Sequence, residues 1–219
     1  ERQMITEGTT DRYQIEPSYL QGSAFIQDKY VPISEASIPL YDMGVLHADA
    51  VYEKATLSNG RFFRLEEHIN RFELSCDKFR LSNPYSAEQT INILSKLVRL
   101  TGLKNAGVFW CVTRGLMKDA KDRNKPDAFD NRFYAMVSAY GSIVDDADRL
   151  TGWDILVSQK YIRTPANAID PTAKNFHWAD MKLSLFEATD VGKHWSVLVD
   201  ADNYLTEAPG ANIVIVKNG

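Results

Sequence analysis

The chain has 219 residues, 44% of them hydrophobic, and carries a formal net charge of -4. That length and apolar content predict a folded protein with one large domain or two small ones and exclude a disordered chain. Lysine and arginine are scattered and no apolar run reaches the length of a membrane span, so neither nucleic acid nor a membrane is an expected partner.

The start of the chain predicts an arm followed by short strands. Residues 1–20 are polar and unpatterned, which is typical of an N-terminal arm. Alternating apolar residues then predict four strands, over 24–27, 30–33, 50–57 and 61–64. The last two flank Asn59-Gly60, whose residues both accept the positive φ that a type I′ hairpin turn requires.

Two helices and two further strands are predicted next. Apolar residues recur at alternating steps of four and three, which places them on one helical face: Leu65, Ile69, Phe72, Cys76 and Phe79. Ser86 and Gln89 can form a capping box at the start of a second helix that ends near Gly102. Alternation within 108–112 and 132–140 predicts strands, which completes a small α+β domain over 21–140.

The second half predicts an interdomain linker and the beginning of a larger domain. Residues 141–152 are polar and acidic, which is typical of a linker. Beyond it, over 153–219, we expect a helix at 178–191 that Gly192 ends, and three strands, at 153–158, 195–199 and 212–216. The last strand runs into Lys217-Asn-Gly219 without a return strand, and natural folds avoid such open edges. The second domain is therefore expected to be incomplete and the chain to be a fragment.

The two cysteines and the first residues bear on location. Cys76 and Cys111 lie in apolar-patterned segments, where an unpaired cysteine behaves as a small hydrophobic residue. This pattern indicates a reducing compartment. The first residues lack the apolar core of a signal peptide, so the predicted location is the cytoplasm.

Three ordered motifs carry the chemistry. The segment Asp170-Pro-Thr-Ala-Lys174-Asn-Phe-His-Trp178-Ala-Asp180 is similar to the cofactor-lysine segment of class IV (fold-type IV) aminotransferases, and especially of (R)-selective amine transaminases. Tyr204-Leu-Thr-Glu207, followed by Asn212, resembles the acidic motif of that family. Arg64-Leu-Glu-Glu-His68-Ile-Asn-Arg71 resembles its phosphate-binding helix. The resemblance runs from about Gly22 to the last residue.

The resemblance implies a two-domain α+β fold of the D-amino acid and branched-chain aminotransferase type. It also implies a homodimer, pyridoxal 5′-phosphate as cofactor, and no metal. Lys174 would form a Schiff base and shuttle a proton, Glu207 would keep the pyridine nitrogen protonated, Arg71 would bind the phosphate, and Asn212 would contact the cofactor. Such a lysine needs a lowered pKa, because only an unprotonated amine attacks an aldehyde. The alternatives are an exposed Glu207 and an Arg71 paired with Glu67.

The same resemblance implies a substrate pocket lined by five residues: His47, Tyr52, Lys54, Phe109 and Trp178. Each also has a structural explanation that the sequence leaves open. A tyrosine can pack within a sheet, a lone histidine is more often structural than functional, and a tryptophan at a helix start commonly packs in a core. Lys54 stands where the family has a small apolar residue, so it could hold a carboxylate.

Two carboxylate-binding patterns of the family are absent. Thr113-Arg-Gly115 is not followed by the Arg-x-His of D-amino acid enzymes, and Gly107 and Phe109 replace the Tyr-x-Arg of branched-chain enzymes. We therefore expect a transaminase that moves an amino group from a primary (R)-amine to a keto acid such as pyruvate. The alternatives are a D-amino acid or branched-chain aminotransferase, then an aminodeoxychorismate lyase, or a cofactor-holding protein without catalysis.

Overall fold

The computed structural model describes residues 15–218, which form two compact units. The first comprises residues up to Gly141 together with Thr172–Phe176, and the second comprises Ser142–Pro171 together with residues from His177 onward. This division differs from the predicted boundaries, because the segment around Lys174 belongs with the first unit. Most of the predicted arm and the last residue, Gly219, lie outside the described residues.

The first unit is an antiparallel sheet covered by two long helices. Its helices are α1 (Met43–His47), α2 (Leu65–Phe79) and α3 (Ala87–Thr101). Its strands are β1 (Ser23–Ile26), β2 (Lys29–Pro32), β3 (Ala50–Ser58), β4 (Arg61–Phe62), β5 (Ala106–Met117) and β6 (Phe129–Ala139). They pair in the order β2-β1-β6-β5-β3-β4. The α+β fold of this unit was predicted from the alternation of its strands and the periodicity of its helices.

The core lies between one face of this sheet and the helices. Successive side chains along β3 and β5 point alternately to the two faces of the sheet. Val51 and Leu57 of β3 and Trp110 of β5 are fully buried and pack with Phe72 of α2 in the core cluster. The intervening residues of both strands therefore lie on the other face, which we call the open face.

Local signals in the sequence set the boundaries of these elements. Asn59 and Gly60 have φ values of 50° and 74°, as the hairpin prediction requires. Ser86 accepts the backbone N–H of Gln89, and the Gln89 side chain accepts the N–H of Ser86, so the predicted capping box is present. Gly102, at φ +64°, ends α3. Both long helices were thus predicted within one residue of their ends.

The second unit is a smaller αβ assembly. It contains α4 (Asp146–Thr151), β7 (Ile155–Ile162), α5 (Ala179–Asp190) and β8 (Trp195–Val199). The strands β7 and β8 pair in parallel, and α5 connects them in sequence. The predicted linker at 141–152 therefore contains a helix, which Asp145 caps by accepting the N–H of Asp148.

The predicted strand at 212–216 is wrong. Residues 212–218 form neither helix nor strand, and Val214 and Ile215 are 81% and 77% exposed. A run of β-branched residues favours extended backbone, but a strand exists only where a neighbouring strand pairs with it. No part of the described chain supplies that neighbour, so the local pattern alone was insufficient.

Three properties bear on the expectations about compartment and ligands. Cys76 and Cys111 are buried and unpaired, and burial raises the pKa of Cys76 to about 12. No helix between residues 15 and 218 combines the length and apolarity that a membrane crossing demands. Within the same range, histidine, cysteine and acidic side chains do not gather into any group of three that could hold a metal ion.

Candidate active site

The segment 172–176 adds a short extended piece to the edge of β3. The N–H of Tyr52 donates to the carbonyl of Lys174 at 2.9 Å, and the N–H of Phe176 donates to the carbonyl of Ala50 at 3.2 Å. Asn175 forms an antiparallel bridge with Val51. Main-chain hydrogen bonds therefore hold Lys174 at the edge of the sheet, and they do not involve its side chain.

Ser75 joins this segment to α2. Its Oγ accepts the N–H of Lys174 at 3.1 Å and donates to the carbonyl of Arg71 at 2.9 Å. Lys78, one turn later, donates to Thr172. Arg71, Ser75 and Lys174 are therefore connected neighbours. The sequence analysis missed Ser75, although its position four residues after Arg71 places both on one side of the helix.

The side chain of Lys174 lies over an aromatic group on the open face. Its Nζ is 4.6 Å from the ring centroid of Tyr52. The ring of Tyr52 stacks on Phe109 at 5.4 Å and meets Phe176 edge-on at 5.6 Å. The structure thus brings together Lys174 and two of the predicted pocket residues, Tyr52 and Phe109. Phe176 was missed, although a residue two positions from Lys174 in an extended segment points to the same side.

Lys54 lies on the same face as Tyr52. It is exposed, and its Cα pairs in register with that of Phe109. A Cβ placed on Gly107 would lie 3.3 Å from Cε of Lys54, so the lysine stem runs across that glycine. Three of the five predicted pocket residues, Tyr52, Lys54 and Phe109, therefore share the open face with Lys174.

Arg71 belongs to a buried ion-pair cluster on the helix side of the sheet. Its Nε and Nη2 each donate to Glu53 at 2.6 Å, and Glu53 has a fully buried side chain. His68 Nδ1 lies 3.2 Å from the same carboxylate. The alternative partner, Glu67, is bonded to Arg64 instead. The alternative in which Arg71 pairs with Glu67 is therefore not observed, and Arg71 pairs with Glu53.

The electrostatics of Glu53 follow from these contacts. Burial alone would raise its pKa, but hydrogen bonds from His68, Arg71 and the N–H of Lys54 outweigh burial and lower the pKa from 4.5 to about 2. Glu53 is thus a carboxylate at neutral pH. It occupies Nε and Nη2 of Arg71, while Nη1 has no hydrogen-bond partner within residues 15–218 and the side chain is 51% exposed.

These residues of the first unit fit pyridoxal 5′-phosphate. The group carries an aldehyde, which needs an amine, and a phosphate, which needs a cation with free donors. Lys174 supplies the amine, and Nη1 of Arg71 supplies a donor on a guanidinium that Glu53 holds in place. Ser75 bonds to the main chains of both residues, so Lys174 and Arg71 are neighbours within the first unit.

In the second unit, Glu207 is held by a buried arginine. Arg163, directly after β7, donates through Nε to Oε1 of Glu207 and through Nη1 to Asp180 at 2.7 Å. Asp180 also accepts the N–H and the hydroxyl of Thr164, and these bonds with Arg163 lower its pKa despite burial, which acts to raise it. Oε2 of Glu207 has no partner in the described part of the chain. Arg163 was missed, because no local spacing links it to a residue 44 positions away.

The other predicted site residues are less constrained. His47 is exposed at the end of α1, and Asn212 is exposed with no hydrogen bond to any residue between 15 and 218. Trp178 precedes α5 and packs over Gly210, since a Cβ there would lie 3.7 Å from the indole. That contact agrees with the packing explanation for Trp178. The structure does not gather His47 or Asn212 with the other predicted residues.

Arg114, the arginine of Thr113-Arg-Gly115, has a structural role. It forms a two-point ion pair with Asp49 at 2.9 and 3.0 Å, and it donates to the carbonyls of Phe79 and Arg80 at the end of α2. All three donor nitrogens of the guanidinium are thereby engaged. Arg114 is therefore not a carboxylate receptor for a ligand.

Comparisons with known proteins agree with this fold. The family described as Amino-transferase class IV matches residues 50–219. A Methanocaldococcus jannaschii protein named "Putative branched-chain-amino-acid aminotransferase" is 28% identical over 202 residues, which cover 89% of this chain and 65% of that protein. A D-alanine aminotransferase from Listeria innocua is 36% identical over 104 residues, covering 48% of this chain and 36% of the relative.

Solved structures with this fold include branched-chain aminotransferases. One from Escherichia coli superposes with a TM-score of 0.76 at 18% identity and covers 85% of this chain and 62% of that one. One from Thermoproteus uzoniensis, solved with norvaline, gives a TM-score of 0.73 at 17% identity, covering 85% of this chain and 62% of that one. The chain thus spans less than two thirds of the length of these proteins. Since the family match includes more than half of the sequence, the chain belongs to the class IV aminotransferases.

Proposed function

We propose that this protein is a pyridoxal-phosphate-dependent transaminase that moves an amino group from a primary (R)-amine to a keto acid such as pyruvate. The observation that carries the proposal is the open face around Lys174. There the amine of Lys174 lies 4.6 Å from the ring of Tyr52, which in turn contacts the rings of Phe109 and Phe176. An aromatic surface suits an arylalkyl amine.

Different residues would serve cofactor binding and proton transfer. Pyridoxal 5′-phosphate, when bound, withdraws electrons from the carbon that carries the amino group. Lys174 would hold the cofactor covalently and then move a proton at that carbon through Nζ. Arg71 would bind the phosphate through Nη1. Glu207, fixed by Arg163, would keep the pyridine nitrogen protonated through Oε2.

The aromatic rings around Tyr52 favour an arylalkyl amine as donor. The carboxylate of an amino acid donor would need a cationic partner. Arg114 cannot serve, because Asp49 and two carbonyls occupy it. A homodimer and a cytoplasmic location remain predictions from the family resemblance and from the unpaired cysteines.

The donor is tested in single-turnover half-reactions. The protein loaded with cofactor is mixed separately with (R)-1-phenylethylamine, its (S) enantiomer, D-alanine and L-leucine, and the loss of visible absorbance is followed. We expect the (R)-amine to react fastest, by at least about tenfold, because its phenyl ring can pack on the rings around Tyr52, whereas the side chains of alanine and leucine offer no aromatic contact. Faster reaction of D-alanine or L-leucine would overturn the proposal.

The second candidate is an amino acid aminotransferase. One observation favours it: Lys54 places a positive charge on the open face, and the similar proteins named above are branched-chain and D-alanine enzymes. In the same assay this candidate predicts that L-leucine or D-alanine is consumed faster than either phenylethylamine. A protein that only holds the cofactor would react with none of the four donors.

The Glu207→Gln variant tests the role of the acid in the second unit. We expect it to retain cofactor and to lose at least about tenfold in the half-reaction rate, because a neutral amide no longer favours the protonated pyridine. Asp190→Asn, at the exposed end of α5, is the matched control and should react at the normal rate. If Glu207→Gln reacts as fast as Asp190→Asn, the acid lies elsewhere.

A further inference from the structure

We infer that Glu187 is a positioning residue for Glu207, and that it acts through a bulge in β7 and through Arg163. This inference rests on the proposed function, in which Glu207 is the acid beside the pyridine nitrogen, and deepens it by naming a residue that acts on Glu207 indirectly. All of the contacts that carry it lie within the second unit.

A bulge interrupts the pairing of β7 with β8. Regular pairing ends where Val157 meets Val197 and resumes where Ile162 meets Val199. Residues 158–161 of β7, four in number, therefore lie opposite one residue of β8, and we call them the β7 bulge. Extra residues in one strand bend it and change where its following side chains point, and bulges beside active sites commonly re-aim a side chain in this way.

Glu187 of α5 supplies the acceptor that the β7 bulge requires. Its buried carboxylate accepts the hydroxyl of Ser158 at 2.6 Å and the N–H of Gln159 at 3.1 Å. Oγ of Ser158 in turn accepts the N–H of Tyr161 at 3.0 Å. Burial acts to raise the pKa of Glu187, but these bonds and one from the N–H of Lys160 outweigh burial and lower it. Since bulged N–H groups lack a partner on the neighbouring strand, the carboxylate of Glu187 holds them in one arrangement.

The β7 bulge determines which residue stands at the end of the strand. Arg163 directly follows β7, and its N–H donates to the carbonyl of Val199 at 2.8 Å. With the three extra residues removed, Lys160 would stand in that place. A lysine offers a point charge and no planar fork, so it could not replace the guanidinium that bonds to Glu207.

The main chain and the carboxylate of Glu207 are held by different parts of the unit. Its carbonyl accepts the N–H of Leu198 at 3.0 Å, and the N–H of Thr206 donates to the carbonyl of Leu198 at 3.0 Å. Leu198 is the residue of β8 that lies opposite the β7 bulge. The main chain of Glu207 is therefore held by β8, whereas its carboxylate is held by Arg163. A displaced bulge would move Arg163 relative to Glu207.

The helix α5 holds the segment from the bulge to Arg163 at both ends. Asp180 and Glu187 are seven residues apart, which places them on one side of the helix. Asp180 accepts Nη1 of Arg163 at 2.7 Å, while Glu187 holds the bulge. Loss of Glu187 alone would leave the bond to Asp180, so the effect on Glu207 should be smaller than that of removing its own carboxylate.

The test measures the Arg163–Glu207 pair directly and then the cofactor. In the protein without cofactor, heteronuclear NMR follows solvent exchange of the Nε–H of Arg163, the group that donates to Glu207. In protein loaded with 15N-labelled pyridoxal 5′-phosphate, the 15N signal of the pyridine nitrogen is followed against pH, and the rate of the half-reaction is measured with the best donor.

Three variants are compared. Glu187→Gln keeps the size of the side chain and removes the charge and one acceptor oxygen. Ser158→Ala is a milder change, which removes one donor to Glu187 and serves if Glu187→Gln does not fold. Ser184→Ala is the matched control, because this buried hydroxyl lies on the same helix and bonds to Ser196 of β8 rather than to the bulge.

We expect Glu187→Gln to speed exchange of the Arg163 Nε–H by at least about tenfold and to slow the half-reaction by at least about threefold, as weakening of one bond to a charged group implies. The pyridine nitrogen should lose its proton at a lower pH than in the unmodified protein. Ser158→Ala should change all three readouts in the same direction, and Ser184→Ala should leave them within about twofold of the unmodified protein.

Exchange and a 15N profile that change no more in Glu187→Gln than in Ser184→Ala would overturn the inference, as would a slower half-reaction with both signals unchanged. Failure of the proposed function is distinguishable through Glu207→Gln. If that variant leaves the 15N profile unchanged, Glu207 is not the acid; if it shifts the profile and Glu187→Gln does not, the positioning role alone is refuted.

Discussion

Lys174→Ala is expected to lower turnover by at least about 10³-fold, because the variant lacks both the covalent anchor and the base that moves the proton. The fold should survive. The bonds to Ser75 and Tyr52 come from the main chain of residue 174 and do not need its side chain. Turnover of the best donor and visible absorbance of the loaded protein are the measurements.

Two further variants make this result specific. Lys174→Arg keeps the positive charge over Tyr52 but cannot bond to an aldehyde, so it should be as inactive as Lys174→Ala. Lys182→Ala, at an exposed position of α5 where the ammonium lies 5.2 Å from Phe186, should remain active. Activity in Lys174→Arg within about tenfold of the unmodified protein would rule out a covalent role.

Arg71→Ala is expected to lower the free energy of unfolding by about 2 to 3 kcal/mol, because it leaves the buried carboxylate of Glu53 without its arginine partner. Removing one partner of a fully buried pair costs about 3 to 5 kcal/mol, and the value is smaller here since Arg71 is half-exposed and His68 remains. Urea unfolding measures this loss. Cofactor affinity should also fall at least about tenfold, the worth of a charge-assisted bond.

The double variant Arg71→Ala/Glu53→Gln separates the two roles of Arg71. Glutamine at position 53 removes the unpaired negative charge. At least half of the lost stability should therefore return, whereas the affinity for the cofactor should stay low. Recovery of both would mean that Arg71 acts only through the fold. Normal cofactor affinity in Arg71→Ala would remove this residue from the phosphate site.

The pH dependence of stability gives a control for Glu53. Its folded pKa is about 2, below the ordinary 4.5, so its contribution is fully present above pH 4.5 and is lost as the pH falls toward 2. The stability difference between the unmodified protein and Glu53→Gln should therefore shrink across that window.

Local patterns in the sequence predicted the elements whose causes are local. The stripe from Leu65 to Phe79, the capping box at Ser86 and the Asn59-Gly60 turn each depend on residues within one or two turns of chain. The strand at 212–216 failed for the opposite reason. Pairing depends on a second segment, and apolar β-branched residues cannot indicate whether that segment is there.

The sequence indicated candidate residues for the site, but not which of them contact one another. The motif around Lys174 gave the lysine, yet nothing in its spacing indicated that residues 172–176 pair with β3, more than 120 positions earlier. Glu53 interrupts the apolar alternation of β3 and would ordinarily be placed at the surface. Its burial depends on Arg71 and His68 from a different element. Arg163 was missed for the same reason, since its partners are set by tertiary packing.

The most direct test of the role of Lys174 is peptide mapping after reduction. The protein loaded with pyridoxal 5′-phosphate is treated with borohydride and digested, and the peptides are examined by mass spectrometry. The added cofactor mass should lie on the peptide that contains Lys174, and it should be missing in Lys174→Ala. Stoichiometric label on another lysine, with Lys174 unmodified, would contradict the assignment.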